Sequence, residues 1–146
     1  MAKTKKSKQL IGRRELVDFP DIKLVGIEAK IDTGAYTTAL HCHDIKIITK
    51  KNKPVLCFKL LDPSHPEYNE QEHQFEKFSE KMIKNSFGDL EKRYVIMTRV
   101  IIAGRKIKSF ISLTDRANMR FPVLIGRRLL KSRFIVDVEL LNTNRK

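Results

Sequence analysis

Apolar residues in this chain recur mostly with a period of two, in short runs broken by turn residues, and helical spacing is rare. Leu16-Val17-Asp18-Phe19 stops at Pro20, and an apolar-rich run from Leu24 to Ile31 ends at Asp32-Thr33-Gly34. Residues 39–48 alternate with Ile45 and Ile47 on one side, and residues 55–60 form another short apolar run. Residues 94–102 and 106–113 flank Ala103-Gly104, a hairpin by both alternation and turn chemistry. Residues 121–126 read as a further strand, 127–131 as a short helix, and 134–138 as a closing strand. Many short strands at near-regular spacing predict an all-β barrel or sandwich.

Residues 62–92 break the rhythm, with Pro63, Pro66 and many charges. A connection this long is a lid or an inserted segment. Residues 71–84 have a helical alternative, although no clean apolar face supports it. The organisation expected is a basic disordered tail over 1–9, one barrel domain over 10–141 with the polar insertion near 62–92, and a short C-terminal tail over 142–146. No internal repeat is visible.

At 146 residues the chain is one domain, able to bury a core without disulfide or metal staples. Two cysteines, Cys42 and Cys57, are too few for a disulfide framework and fit a reducing cytosol. The lysine-rich start has the charge of a secretory n-region but no apolar h-region follows, and no stretch approaches the ~20 apolar residues of a membrane span. These features imply a cytoplasmic, bacterial-type protein. A net charge of +13 attracts polyanions, whether acidic peptide, acidic protein surface or nucleic acid.

Asp32-Thr33-Gly34 is the most informative motif. A strand that delivers a carboxylate into a glycine turn is how aspartic proteases present their catalytic acid, and the glycine is expected to use φ > 0 to bring the backbone close. At ordinary frequencies the tripeptide arises by chance in roughly 3% of chains of this length. A second apolar-apolar-Gly element, Leu124-Ile125-Gly126-Arg127, follows some ninety residues later.

Together these elements resemble the retropepsins, in which a strand ends in Asp-Thr-Gly-Ala and a later apolar-apolar-Gly-Arg strand packs beside it and leads into a short helix. The chain is more closely similar to a subgroup known as ATP-dependent zinc proteases. The matching residues are Ile11-Gly12-Arg13-Arg14-Glu15, the run from Ala29 to Ala35, Ala39-Leu40-His41, Leu113-Thr114-Asp115-Arg116 and the run from Met119 to Arg127. The resemblance covers nearly everything from Ile11 to Val138 and implies a closed or partly open acid-protease barrel with a short helix after the second Gly motif. It also implies an aspartic peptidase acting on acidic or poly-glutamate peptides, with a functional link to ATP-grasp glutamate ligases.

One such triplet per chain implies a homodimer, with Asp32 of each subunit forming the dyad, Thr33 hydrogen-bonding across the two-fold axis and Gly34 admitting the backbone. Ala35, Arg116 and Arg127 are the expected substrate contacts. Retropepsins usually carry an aspartate where Tyr36 stands here, so Arg127 loses that partner and is left structural or free for substrate. Asp115 is expected to order a loop through Arg116.

The zinc and ATP of the subgroup's name find little support in the residues. There is no His-Glu-x-x-His, and on a strand His41 and His43 share one face while Cys42 faces away, so His65, His73 or Cys57 would have to complete a site. No glycine-rich phosphate loop exists. The alternative class is a non-catalytic binding module holding an acidic peptide, or less readily RNA, through Arg105, Arg116, Arg120, Arg127 and Arg128. The stacking-aromatic motif of single-strand binders is missing, which argues against nucleic acid.

Overall fold

The computed structural model describes residues 7–84, 87–115 and 120–142. The alternating runs become ten strands among these residues. They are β1 (Gln9–Phe19), β2 (Leu24–Ile31), β3 (Thr38–Lys50), β4 (Lys53–Leu60), β5 (Glu72–Phe75), β6 (Ser79–Lys84), β7 (Leu90–Ile102), β8 (Arg105–Thr114), β9 (Val123–Ile125) and β10 (Phe134–Leu141). One short helix, α1 (Arg127–Leu130), follows β9, as the resemblance implies.

Six strands close a mixed barrel in the order β1-β2-β9-β3-β8-β7, with β7 returning to β1 through Val17–Ile102 and Asp18–Ile101. Closure removes the exposed edges that an open sheet would leave within the ring. Period-two alternation sends Ile27, Leu40, Ile96, Ile111, Val123 and Ile125 inward, where each is essentially fully buried. The β7–β8 hairpin turns at Ala103 and Gly104, both with positive φ, the geometry of a two-residue turn matched to strand twist.

The polar segment departs from its helical alternative. Residues 72–84 form β5 and β6, each pairing antiparallel with a neighbour, β4 and β7 respectively. With no apolar stripe to bury, a helix there would gain little from tertiary packing, whereas single aromatics can anchor strands. Phe75 lies 5.6 Å from the Phe58 ring centre and Phe78 meets Tyr94 edge-on at 6.0 Å. β3 serves two sheets: Thr38 to His41 pair with β8, and from Cys42 onward the strand pairs with β4, with an irregularity between His43 and Lys46 where Asp44 has positive φ.

β1 begins at Gln9, inside the stretch read as tail, because its side-chain amide donates to the Ala103 carbonyl at 2.8 Å. Gly12 sits where β10 crosses so closely that a Cβ would stand 2.3 Å from the Leu140 carbonyl oxygen. The Gly12 amide donates instead to the buried Glu15 carboxylate at 2.7 Å. That bond and crossing explain why Gly12 and Glu15 occur together in the opening motif.

Candidate active site

β9 is inserted between the strand that enters the Asp32 loop and the strand that leaves it. It runs parallel to β2, with Ile31 beside Ile125, and antiparallel to β3, with Ala39 beside Leu124. Four bonds from backbone amides stitch the loop region to β9 and the turn after it. Asp32 N donates to the Ile125 carbonyl at 2.9 Å, Arg127 N to Ala35 at 2.7 Å and Arg128 N to Tyr36 at 3.1 Å. Gly126 N donates to the Thr38 hydroxyl at 3.1 Å. A Cβ on Gly126 would lie 2.7 Å from the Tyr36 carbonyl oxygen, so the two segments can be this close only with glycine there.

Within the loop, the Gly34 amide donates to Asp32 Oδ1 at 3.0 Å, and Ala35 N closes the turn on the Asp32 carbonyl at 3.2 Å. Gly34 does not adopt the expected positive φ, which among the described glycines belongs to Gly26, Gly88 and Gly104. Its role is space: a Cβ there would stand 3.2 Å from the Asp32 carboxylate. Asp32 is half-buried and Thr33 exposed.

Asp32 opens on a cleft of about 400 Å³ that Gly34, Ala35, Tyr36, Leu124 and Arg127 also line. Ile83, Lys84 and Arg93 reach into it from the β6–β7 hairpin. The Glu91 carboxylate orients Arg93, accepting from its Nε at 3.2 Å and Nη2 at 3.0 Å. Sequence reasoning missed these three residues, since only the pairing of β6 with β7 carries the polar segment to the site. A second hollow of about 440 Å³, lined by Lys50, Lys51, Lys53, Val55, Gln74 and Glu76, shares no lining residue with the Asp32 cleft.

Of the expected substrate contacts, Ala35 and Arg127 line the cleft, while Arg116 lies outside the described residues. Arg127 Nη1 donates to the Thr33 carbonyl at 3.1 Å, and its guanidinium lies 5.6 Å from the Tyr36 ring centre. The described arginines of the group expected for a binding module have separate partners. Arg105 packs on Phe134 and donates to the Arg133 carbonyl, Arg128 stacks on Phe110, and Arg120 stacks on Phe121.

His41 is buried, with Nε2 2.6 Å from Asp62 and Nδ1 3.8 Å from Asp115. Asp115 is thus near β3, and its expected action through Arg116 lies outside the described residues. Hydrogen bonds from the Ser64 hydroxyl and amide, then from His41, hold the Asp62 carboxyl down at about 2 despite partial burial. His43 Nδ1 contacts the Leu61 carbonyl at 2.7 Å, and the buried Cys42 thiol donates to the Leu40 carbonyl at 3.3 Å. Burial pushes the Cys42 thiol strongly upward, away from the thiolate a metal requires. His65 accepts from the Glu67 amide and His73 stacks on Phe58. This donor set does not fit zinc, and no group of three or more His, Cys, Asp or Glu is arranged for a metal among the described residues.

A closed mixed barrel whose Asp-Thr-Gly loop is clamped by a glycine–helix turn defines the retropepsin-like class of acid-protease folds. Residues 10–146 match the family described as the retropepsin-like aspartic endopeptidase RimB, and the chain belongs to that family. Curated relatives include probable alpha-L-glutamate ligases of Shewanella halifaxensis and Desulfotalea psychrophila. The first is 30% identical over 90% of this chain and the second 28% over 92%. The chain spans only 29% of the length of either relative. A solved structure of a Legionella pneumophila protein of unknown function superposes with a TM-score of 0.69 at 26% identity, covering 95% of this chain and all of that one.

Proposed function

We propose that this protein is an aspartic endopeptidase that hydrolyses peptide bonds in acidic, glutamate-rich peptides, with Asp32 from each of two identical subunits forming the dyad. The observation that carries the reading is the Asp32 carboxylate, fixed by the Gly34 amide and opening on a cleft bordered by Lys84, Arg93 and Arg127. Two such carboxylates brought close share one proton between their macroscopic pKa values. The ionised one takes a proton from water as the oxygen attacks the scissile carbonyl, and the protonated one donates to the carbonyl oxygen. Collapse of the resulting diol breaks the C–N bond, with a proton passing to the leaving amine. No metal or ATP enters this sequence.

The relatives' name supports the substrate class. A domain of this kind forms part of chains named as probable glutamate ligases, which supports a hydrolase of glutamate-rich peptide as the matching reverse activity; the partner in this reading is an ATP-grasp glutamate ligase and the setting the cytoplasm. Among the described residues no helix is long and apolar enough to cross a membrane. The test is cleavage of oligoglutamate by wild type and by Asp32→Asn across pH 4–8, with oligomeric state measured alongside. Cleavage lost in Asp32→Asn, with activity tracking the dimer, is the expected result. A fully active monomer would overturn the dyad, and no cleavage by wild type would leave a binding module.

A further inference from the structure

A further pocket adjoins the strand that leads into the Asp32 loop, and four of its six lining residues are cationic. It has a volume of about 290 Å³ and is lined by Arg13, Arg14, Lys30, Ile31, Arg120 and Phe121. Ile31 is the residue before Asp32, so the pocket reaches the strand end that presents the carboxylate.

Adjacent strand residues normally point to opposite faces, so Arg13 and Arg14 should not share a wall. Both line it here, beside an irregularity of β1 between Gly12 and Arg14, where its register against β10 jumps from Asp137 to Leu141. Such a bulge re-aims side chains. Across the sheet Arg14 pairs directly with Lys30, a register in which like charges repel. Glu28 answers one of them, at 3.3 Å from Arg14 Nη1. The Phe121 ring centre lies 5.6 Å from the Arg14 guanidinium and 5.4 Å from that of Arg120. Arg14 Nε is buried and has no hydrogen-bond partner among the described residues. That atom is closed to solvent, so what the pocket offers a ligand is the unbalanced charge of its remaining cationic groups, which suits a carboxylate.

We propose that this pocket is a carboxylate-binding subsite that holds a glutamate or aspartate side chain of the peptide while Asp32 faces the backbone. The assignment rests on the peptide reading above, and it places the acid-reading charges on β1, β2 and the segment before β9. Planar guanidiniums stacked on one ring present their N–H edges in fixed directions, which suits a carboxylate better than mobile surface lysines do.

The experiment measures binding of fluorescently labelled octaglutamate and octaglutamine to the full chain carrying Asp32→Asn, which removes turnover. Arg120→Gln and Lys30→Gln are chosen because both side chains are exposed, whereas Arg14 packs internally. Each should weaken octaglutamate binding about tenfold, the loss of one charge-assisted bond, and leave octaglutamine unchanged. Lys51→Gln, in the remote hollow, controls for general attraction to the basic chain and should change binding less than about twofold. Equal losses at all three positions, no loss at Arg120 and Lys30, or no binding of octaglutamate would each overturn the subsite. If wild type cleaves nothing while the expected binding pattern holds, the peptidase reading falls and the subsite stands.

Discussion

The guanidinium of Arg127 lies 5.6 Å from the centre of the Tyr36 ring and donates to the Thr33 carbonyl at 3.1 Å. The aspartate that the retropepsin resemblance leads one to expect at position 36 is thus replaced by an aromatic face, and the arginine still braces the Asp32 loop. A cation over an exposed ring contributes about 0.5–1 kcal/mol, comparable to an exposed ion pair.

Tyr36→Asp should therefore be tolerated, with a change in unfolding free energy below about 1 kcal/mol, because a carboxylate can substitute for the ring. Tyr36→Lys should lower the melting temperature by a few degrees, since it sets two cations together. Thermal melts of both variants at low and high salt check this. A larger loss for Asp than for Lys would show that the ring acts by packing rather than by attracting charge.

Gly126→Ala should destabilise the protein by about 1–3 kcal/mol, because the new methyl would meet the Tyr36 and Thr37 backbone at 2.7–2.8 Å. Backbone cannot swing aside as a flexible side chain does. Urea unfolding supplies the measurement, and activity should fall further than stability, since the displaced segment carries the Asp32 loop. Gly104→Asn, in the open hairpin turn, should be nearly neutral by comparison.

Asp62 supplies an acid-sensitive contact. Its carboxyl titrates near 2 when folded, against an ordinary value of 3.8. A depressed carboxylate stabilises the fold fully above its unfolded value and loses that contribution as pH falls from about 4 toward 2. Unfolding free energy measured across that window should drop less steeply in Asp62→Asn than in wild type. The same slope in both proteins would mean that other carboxylates govern acid unfolding.

Both thiols are inaccessible, with Cys42 and Cys57 at 0% exposure. Neither should react with a thiol-specific reagent in the native state, and both should react on denaturation, at a rate following global unfolding. Rapid native-state labelling of either would indicate local opening of β3 or β4.

Much of the barrel was legible in the sequence. Residues 94–113 specify their own hairpin, because alternation and a two-residue turn act over short separations, and α1 follows Gly126 as the second Gly motif implied. The Asp32 loop and its β9 partner were recognisable as motifs, but their stitching was not. Bonds such as Arg127 N to the Ala35 carbonyl join residues far apart in sequence, and backbone atoms leave no trace in residue identity. The polar insertion was misjudged in its 71–84 portion for the same reason. Its strands exist because β4 and β7 offer edges to pair with, and no local pattern announces an edge.

The sequence by itself determined the strand-forming runs, the Asp-Thr-Gly loop, the glycine that must follow β9, and the excess of positive charge. Only the tertiary structure decided where that charge acts. The β6–β7 hairpin brings Lys84 and Arg93 to the Asp32 cleft, and the neighbouring Arg13 and Arg14 line one pocket with Lys30 and Arg120. It also decided that Gly34 makes room for a carboxylate rather than supplying a left-handed turn, and that His41 faces Asp62. Side-chain direction in a sheet depends on register, and register is settled by pairings between distant segments that must all close one barrel.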